Sequence, residues 1–79
     1  MAASKLAREI GERITEVRGD RLQNEFAKAI DVLPQNVSRW EWGECLPGVD
    51  MLLRICSKEK VSIAWLALGE GPKERAKLN

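Results

Sequence analysis

The sequence predicts an all-α fold, a compact bundle of five short helices, and three observations predict it. Apolar residues recur at spacings of three and four along successive segments. Glycine and proline fall mainly between those segments, at Gly19, Gly43, Pro47-Gly48, Gly69 and Gly71-Pro72. No stretch alternates apolar and polar residues as a half-buried strand does.

Each element follows from its own residues. Leu6, Ile10, Ile14 and Val17 form one apolar stripe, and Ser4 is placed to cap it, which gives a first helix over residues 4–18. Its other face mixes Arg8, Glu9, Glu12, Arg13, Glu16 and Arg18, the pattern of a solvated surface. Gly19-Asp20 stops it. Leu22, Phe26, Ala27 and Ile30 define a second helix over 23–30, closed by Asp31, a residue that tolerates the left-handed conformation. Pro34 opens a third helix over 34–42, because a proline in the first turn lacks only an N–H that has no intrahelical partner there. Val37 and Trp40 anchor that helix, and Gly43 ends it. Val49, Leu52, Leu53 and Cys56, with Ile55 alongside, form the stripe of a fourth helix over 49–58. Ser62 caps a short fifth helix carrying Ile63, Trp65, Leu66 and Leu68, ended by Gly69 and Gly71.

Composition narrows the function classes. The chain has 79 residues, room for one domain, here assigned to 1–71 and followed by a flexible polar tail over 72–79. No apolar run reaches the roughly 20 residues a membrane helix needs, and the first ten residues mix acids and bases at helical spacing, unlike a signal peptide. The expected location is therefore the cytoplasm, with no membrane partner. Cys45 and Cys56, without any histidine, cannot complete a tetrahedral zinc site and are too few for a disulfide framework. No metal, cofactor or small-molecule substrate is expected. Histidine and tyrosine are absent, and no phosphate-cradling glycine loop or paired-carboxylate pattern is present, so no catalytic residue is assigned. The net charge of +1 does not announce a nucleic-acid partner; a basic surface would have to come from uneven placement of charge.

The informative region is the tight helix-turn-helix over residues 22–43. Two helices joined by three or four residues cross steeply, and Ala27 is small where they meet. The turn is expected to expose Asp31 and bury Val32 or Leu33. With Val37 and Trp40 turned inward, Gln35, Asn36, Ser38 and Arg39 project together. Arginine pairs bidentately with guanine, glutamine and asparagine with adenine, and serine with a base or a phosphate. The same residues have plainer uses: Gln35 and Asn36 suit helix capping, and Arg39 suits an ion pair with Glu41. Gln23, at the start of the second helix, suits a phosphate, as do Arg21 and Lys28 by charge. Trp42 has three candidate places: the edge of the core, the sugar-phosphate backbone, or an interface with another protein.

The residues Gln23, Phe26, Ala27, Ile30, Val37, Trp40, Glu41 and Gly43, followed by Pro47, resemble the Cro/CI (XRE-type) helix-turn-helix family. Val61, Ser62, Trp65, Leu66 and Gly69 are similar to the last helix of phage CI-type repressor domains. The resemblance covers residues 10–71. It implies a lambda-repressor-like domain whose third helix reads operator DNA, in a homodimer on an inverted repeat that pairs through the fifth helix and its flanks. It places Pro34, Gln35, Asn36 and Arg39 at base contacts and Gln23 at a phosphate. It also implies an ion pair between Arg18 and Glu41, whose disruption costs about 3–5 kcal/mol if burial is complete. Asp31 departs from the family's usual glycine in the turn, and Pro34 offers a thymine methyl only an apolar contact. The connection between the first two helices is about two residues short. Trp42 and Glu44 stand where a basic residue is common, which leaves backbone N–H groups around Gly43 and Cys45 as the phosphate donors there. The alternative reading is a protein-interaction module of the same fold, an antitoxin or adaptor, without operator binding.

Overall fold

The computed structural model describes residues 4–75, and it contains α1 (Lys5–Arg18), α2 (Gln23–Ile30), α3 (Pro34–Glu41), α4 (Val49–Glu59) and α5 (Ile63–Leu68). Local chemistry sets the helix ends. The Ser4 hydroxyl accepts a hydrogen bond from the Ala7 N–H, and the Ser62 hydroxyl accepts one from Trp65. The Leu22 N–H donates to the Glu25 carboxylate at 2.9 Å, the reciprocal half of a capping box. Pro34 occupies the first turn of α3. Asp31 closes α2 and Lys60 closes α4, both left-handed, with φ of 61° and 59°.

One core joins all five helices. Ile10, Ile14 and Val17 of α1 meet Phe26, Ala27 and Ile30 of α2, Val37 and Trp40 of α3, Leu52, Ile55 and Cys56 of α4, and Leu66 of α5. α1 packs on α3 and α5, while α2 packs on α3 and α4. The buried stripe of α1 runs through Ala7, Ile10, Gly11, Ile14 and Val17, so Leu6 lies outside it. In α4 the inward residues are Leu52, Ile55 and Cys56. Val49 and Leu53, expected inside, are 72% and 53% exposed. Val49 is the first residue of α4, and the three-four spacing that buries Leu52, Ile55 and Cys56 turns Leu53 outward.

Charged side chains tie the helices together. Arg13, which the sequence places on a solvated face, donates from Nε to the Leu66 carbonyl at 2.8 Å and from Nη2 to that of Ala67 at 3.3 Å. A cation thus sits at the C-terminal end of α5, where helix carbonyls lack intrahelical partners. The first residues of the segment expected as a tail from Pro72 are hydrogen-bonded to the bundle. The Ser62 N–H donates to the Lys73 carbonyl and the Arg75 N–H to that of Lys60, and Val61 bridges Glu74 in antiparallel fashion. Lys73 also pairs with Glu16 and lies over the Trp65 ring. The rest of that segment, 76–79, lies outside the described residues. Among the described residues no helix is long and apolar enough to cross a membrane, and no group of three potential metal ligands occurs.

Candidate nucleic-acid interface

The centre of the site is the α2-turn-α3 unit. Asp31 in the left-handed conformation lets the Val32 N–H reach back to the Ala27 carbonyl at 2.9 Å, which turns the chain sharply out of α2. Val32 packs against the core and Leu33 is exposed, so Val32 fills the apolar position of the turn. Arg54 of α4 donates to the Asp31 carbonyl at 2.8 Å and holds the turn from outside. No local sequence signal marks Arg54 for this role, because its partner lies 23 residues away.

α3 is held on two sides. Val37 is fully buried and Trp40 nearly so, both against α2 and the core. On the other side Gly11 of α1 touches the α3 backbone. A Cβ there would sit well inside van der Waals contact of the Trp40 carbonyl oxygen and 3.1 Å from that of Glu41. Only glycine permits this approach of α1 to α3.

Beneath the end of α3, Arg18 donates from Nε to Glu41 Oε2 at 2.7 Å and from Nη2 to Oε1 at 3.0 Å. Its Nη1 donates to the Arg21 carbonyl at 2.7 Å, and Gln23 Nε2 donates to Glu41 Oε1 at 2.9 Å. Glu41 is 7% exposed along its side chain and Arg18 21%. The hydrogen bonds to Glu41 raise the Arg18 pKa above its ordinary value. The pair that the resemblance implies is therefore present as a bidentate contact, and it leaves Glu41 committed to Arg18 and Gln23. Arg39 makes no hydrogen bond or ion pair among the described residues.

The outward face of α3 carries Pro34, Gln35 and Arg39 exposed, with Asn36 and Ser38 half-buried at its margins. Lys28 of α2 is also exposed. Two residues expected at phosphates have donors engaged within the chain. Arg21 donates to both Glu59 oxygens, at 2.6 and 3.2 Å, and to the carbonyls of Val17 and Arg18, and its guanidinium lies over the Phe26 ring. Its pKa is raised, chiefly by the hydrogen bonds to Glu59. A guanidinium engaged on this scale in tying α1, α2 and α4 together has little left for a phosphate. Gly43 is buried, its N–H donates to the Trp40 carbonyl, and a Cβ on it would meet Arg8 of α1 at 3.0 Å. The Glu44 N–H is likewise taken, by the Arg39 carbonyl. Gln23 keeps one amide N–H beyond the one given to Glu41. It faces a depression of about 320 Å³ lined also by Thr15, Arg18, Glu41 and Trp42.

No protein-family model and no curated protein sequence matches the chain. Solved structures do. The P22 c2 repressor, in complex with synthetic operator 9T in the presence of Tl+, superposes with a TM-score of 0.69 at 28% identity, covering 77% of this chain and 96% of that one. The clp gene regulator ClgR from C. glutamicum gives 0.69 at 25% identity over 80% of this chain and 84% of its own. LexA, the SOS-response transcriptional repressor from Eubacterium rectale, gives 0.75 over all of this chain and 80% of its own; at 23% identity it speaks for the fold alone.

Proposed function

We propose that this chain, which has the fold of Cro/CI-type helix-turn-helix domains, binds double-stranded DNA sequence-specifically and regulates transcription from the cytoplasm. The observation that carries the reading is the unengaged outer face of α3. Glu41, the acid nearest in sequence to Arg39, is occupied by Arg18 and Gln23, and Arg39 has no partner among the described residues. A rigidly seated helix that carries an exposed arginine one turn from two amide side chains is a probe for base edges. Likeness to a repressor solved on its operator supports the same reading.

In this proposal α3 enters the major groove. Arg39 pairs with a guanine, Gln35 and Asn36 with adenine edges, Pro34 packs on a thymine methyl, and Ser38 reaches a base or a phosphate. Gln23 and Lys28 meet the phosphates on either side of the groove, helped by first-turn N–H groups of α2 that lack intrahelical acceptors. A single α3 covers only half of a typical site, so the chain acts as a two-fold dimer on half-sites about one helical turn apart. The exposed apolar residues Leu53, Ile63 and Leu68 on α4 and α5 suit the dimer surface. Selection of duplexes from a random pool tests the proposal. Recovery of an inverted repeat, with loss of preference at one position per half-site in Arg39→Ala, supports it. A pool that remains random refutes it and leaves the protein-interaction module as the reading; a preference unchanged in that variant removes Arg39 from the base contacts.

A further inference from the structure

We propose that Trp42 is a DNA-backbone contact: its indole lies along the sugar-phosphate chain and donates its N–H to a phosphate. The inference rests on the DNA-binding reading above and adds to it a residue that supplies affinity without sequence preference.

Trp42 is 74% exposed, the most exposed large hydrophobic residue among those described. It is not a core residue displaced outward, because Val37 and Trp40 already fill the inward positions of α3. Its backbone is still right-handed helical, with φ −78° and ψ −8°, so it continues the α3 spiral by one residue. On that spiral Gln35, Arg39 and Trp42 stand at i, i+4 and i+7, within about 60° of one another. The indole therefore prolongs the same stripe that carries the exposed Arg39.

The surroundings select the ligand. The depression beside Trp42 is lined by Thr15, Arg18, Gln23 and Glu41, a polar set in which the second amide N–H of Gln23 has no acceptor among the described residues. The indole N–H has no acceptor among the described residues. Trp42 and Gln23 thus present two neutral N–H donors at one edge of the α3 face. An amphipathic ring with a polar tip suits a deoxyribose flanked by a phosphate, where apolar and acceptor surfaces alternate.

Neutral donors leave a distinct signature. A contact without a cation releases no counterion, so removing it weakens binding without changing the salt dependence. The experiment measures duplex affinity of the wild-type chain, Trp42→Ala, Trp42→Phe and Lys28→Ala over a range of salt. The probes are the selected duplex and a mixed-sequence duplex of the same length. Trp42→Ala is expected to lose about five- to tenfold on both duplexes, in line with one lost hydrogen bond and its packing, with an unchanged log–log slope. Trp42→Phe, which keeps a ring and loses the N–H, falls between. Lys28→Ala flattens the slope by about one. A second readout is acrylamide quenching. Trp40 is buried and Trp65 half-buried, so Trp42 carries the accessible emission, and bound duplex is expected to shield it. Unchanged affinity in Trp42→Ala, a loss confined to the selected duplex, or undiminished quenching with duplex bound overturns the assignment. Failure of the wild-type chain to bind either duplex overturns the DNA reading itself, and this proposal with it.

Discussion

Replacing Gly11 by alanine tests how α3 is seated. Glycine inside a helix costs about 1 kcal/mol relative to alanine, so on propensity alone Gly11→Ala would stabilise α1. The structure predicts the opposite sign. The added Cβ would overlap the Trp40 carbonyl oxygen and crowd that of Glu41 at 3.1 Å, and both are backbone atoms that no rotamer change can move. Relief requires α1 and α3 to separate by roughly 1 Å, which loosens the core that Ile10, Ile14 and Trp40 share. Overpacking of this kind costs about 2–3 kcal/mol, and after the propensity gain about 1–2 kcal/mol of destabilisation remains. For a domain of this size that lowers the thermal midpoint by about 5–15 °C. Circular dichroism melts of Gly11→Ala beside Glu12→Ala, an exposed neighbour expected to shift little, provide the comparison. A midpoint for Gly11→Ala equal to or above that of the wild-type chain would refute the close helix contact.

Further predictions follow from the same contacts. Glu41→Ala leaves Arg18 and Gln23 without their acceptor, and because Arg18 keeps an exposed edge the expected loss is about 2–3 kcal/mol, below the fully buried limit, measured by urea unfolding. Arg39→Ala changes stability by less than about 0.5 kcal/mol while costing about 1–3 kcal/mol of discrimination at one base pair; a large stability loss would mean that Arg39 is a structural residue. Thiol labelling of the native chain modifies exposed Cys45 quickly and buried Cys56 only on unfolding, which mass spectrometry of partly labelled protein resolves. Burial pushes the Cys56 thiol pKa up, so the folded state holds that proton more tightly than the unfolded state does. Its contribution is complete below the unfolded value, about pH 8.5, and is lost as pH rises through the folded value, so unfolding titrations in a Cys45→Ser background are expected to show stability declining above that point.

The helices and most of the outward face of α3 were legible in the sequence because the signals that set them are local. Ser4, Pro34 and Ser62 start helices, Asp31 and Gly69 end them, and the spacing of Val37 and Trp40 decides which side of α3 turns out. The Arg18–Glu41 pair follows only from the family resemblance, since nothing in the spacing of residues 23 positions apart demands it. What the sequence hid is tertiary. Arg13, Arg21 and Arg54 look alike as surface cations, and only packing assigns them to the end of α5, to Glu59 and to the Asp31 turn. The register of α4 was ambiguous because Leu52, Leu53 and Ile55 are equally apolar. Gly11 did carry a signal: a glycine in mid-helix needs a reason, and the reason here is the α3 backbone. Gly43 looks like an accessible donor in the sequence, which does not show that its N–H turns back to Trp40.

The central claim, that the outer face of α3 enters a DNA groove, is tested most directly by following amide and side-chain NMR signals while the selected duplex is titrated into the labelled chain. The account predicts that the largest changes fall on Gln35, Asn36, Ser38 and Arg39, with smaller ones on Gln23, Lys28 and Trp42, while α4 and α5 report only dimer formation. Changes concentrated around Leu53 and Ile63, with the α3 signals unmoved at saturation, would contradict it.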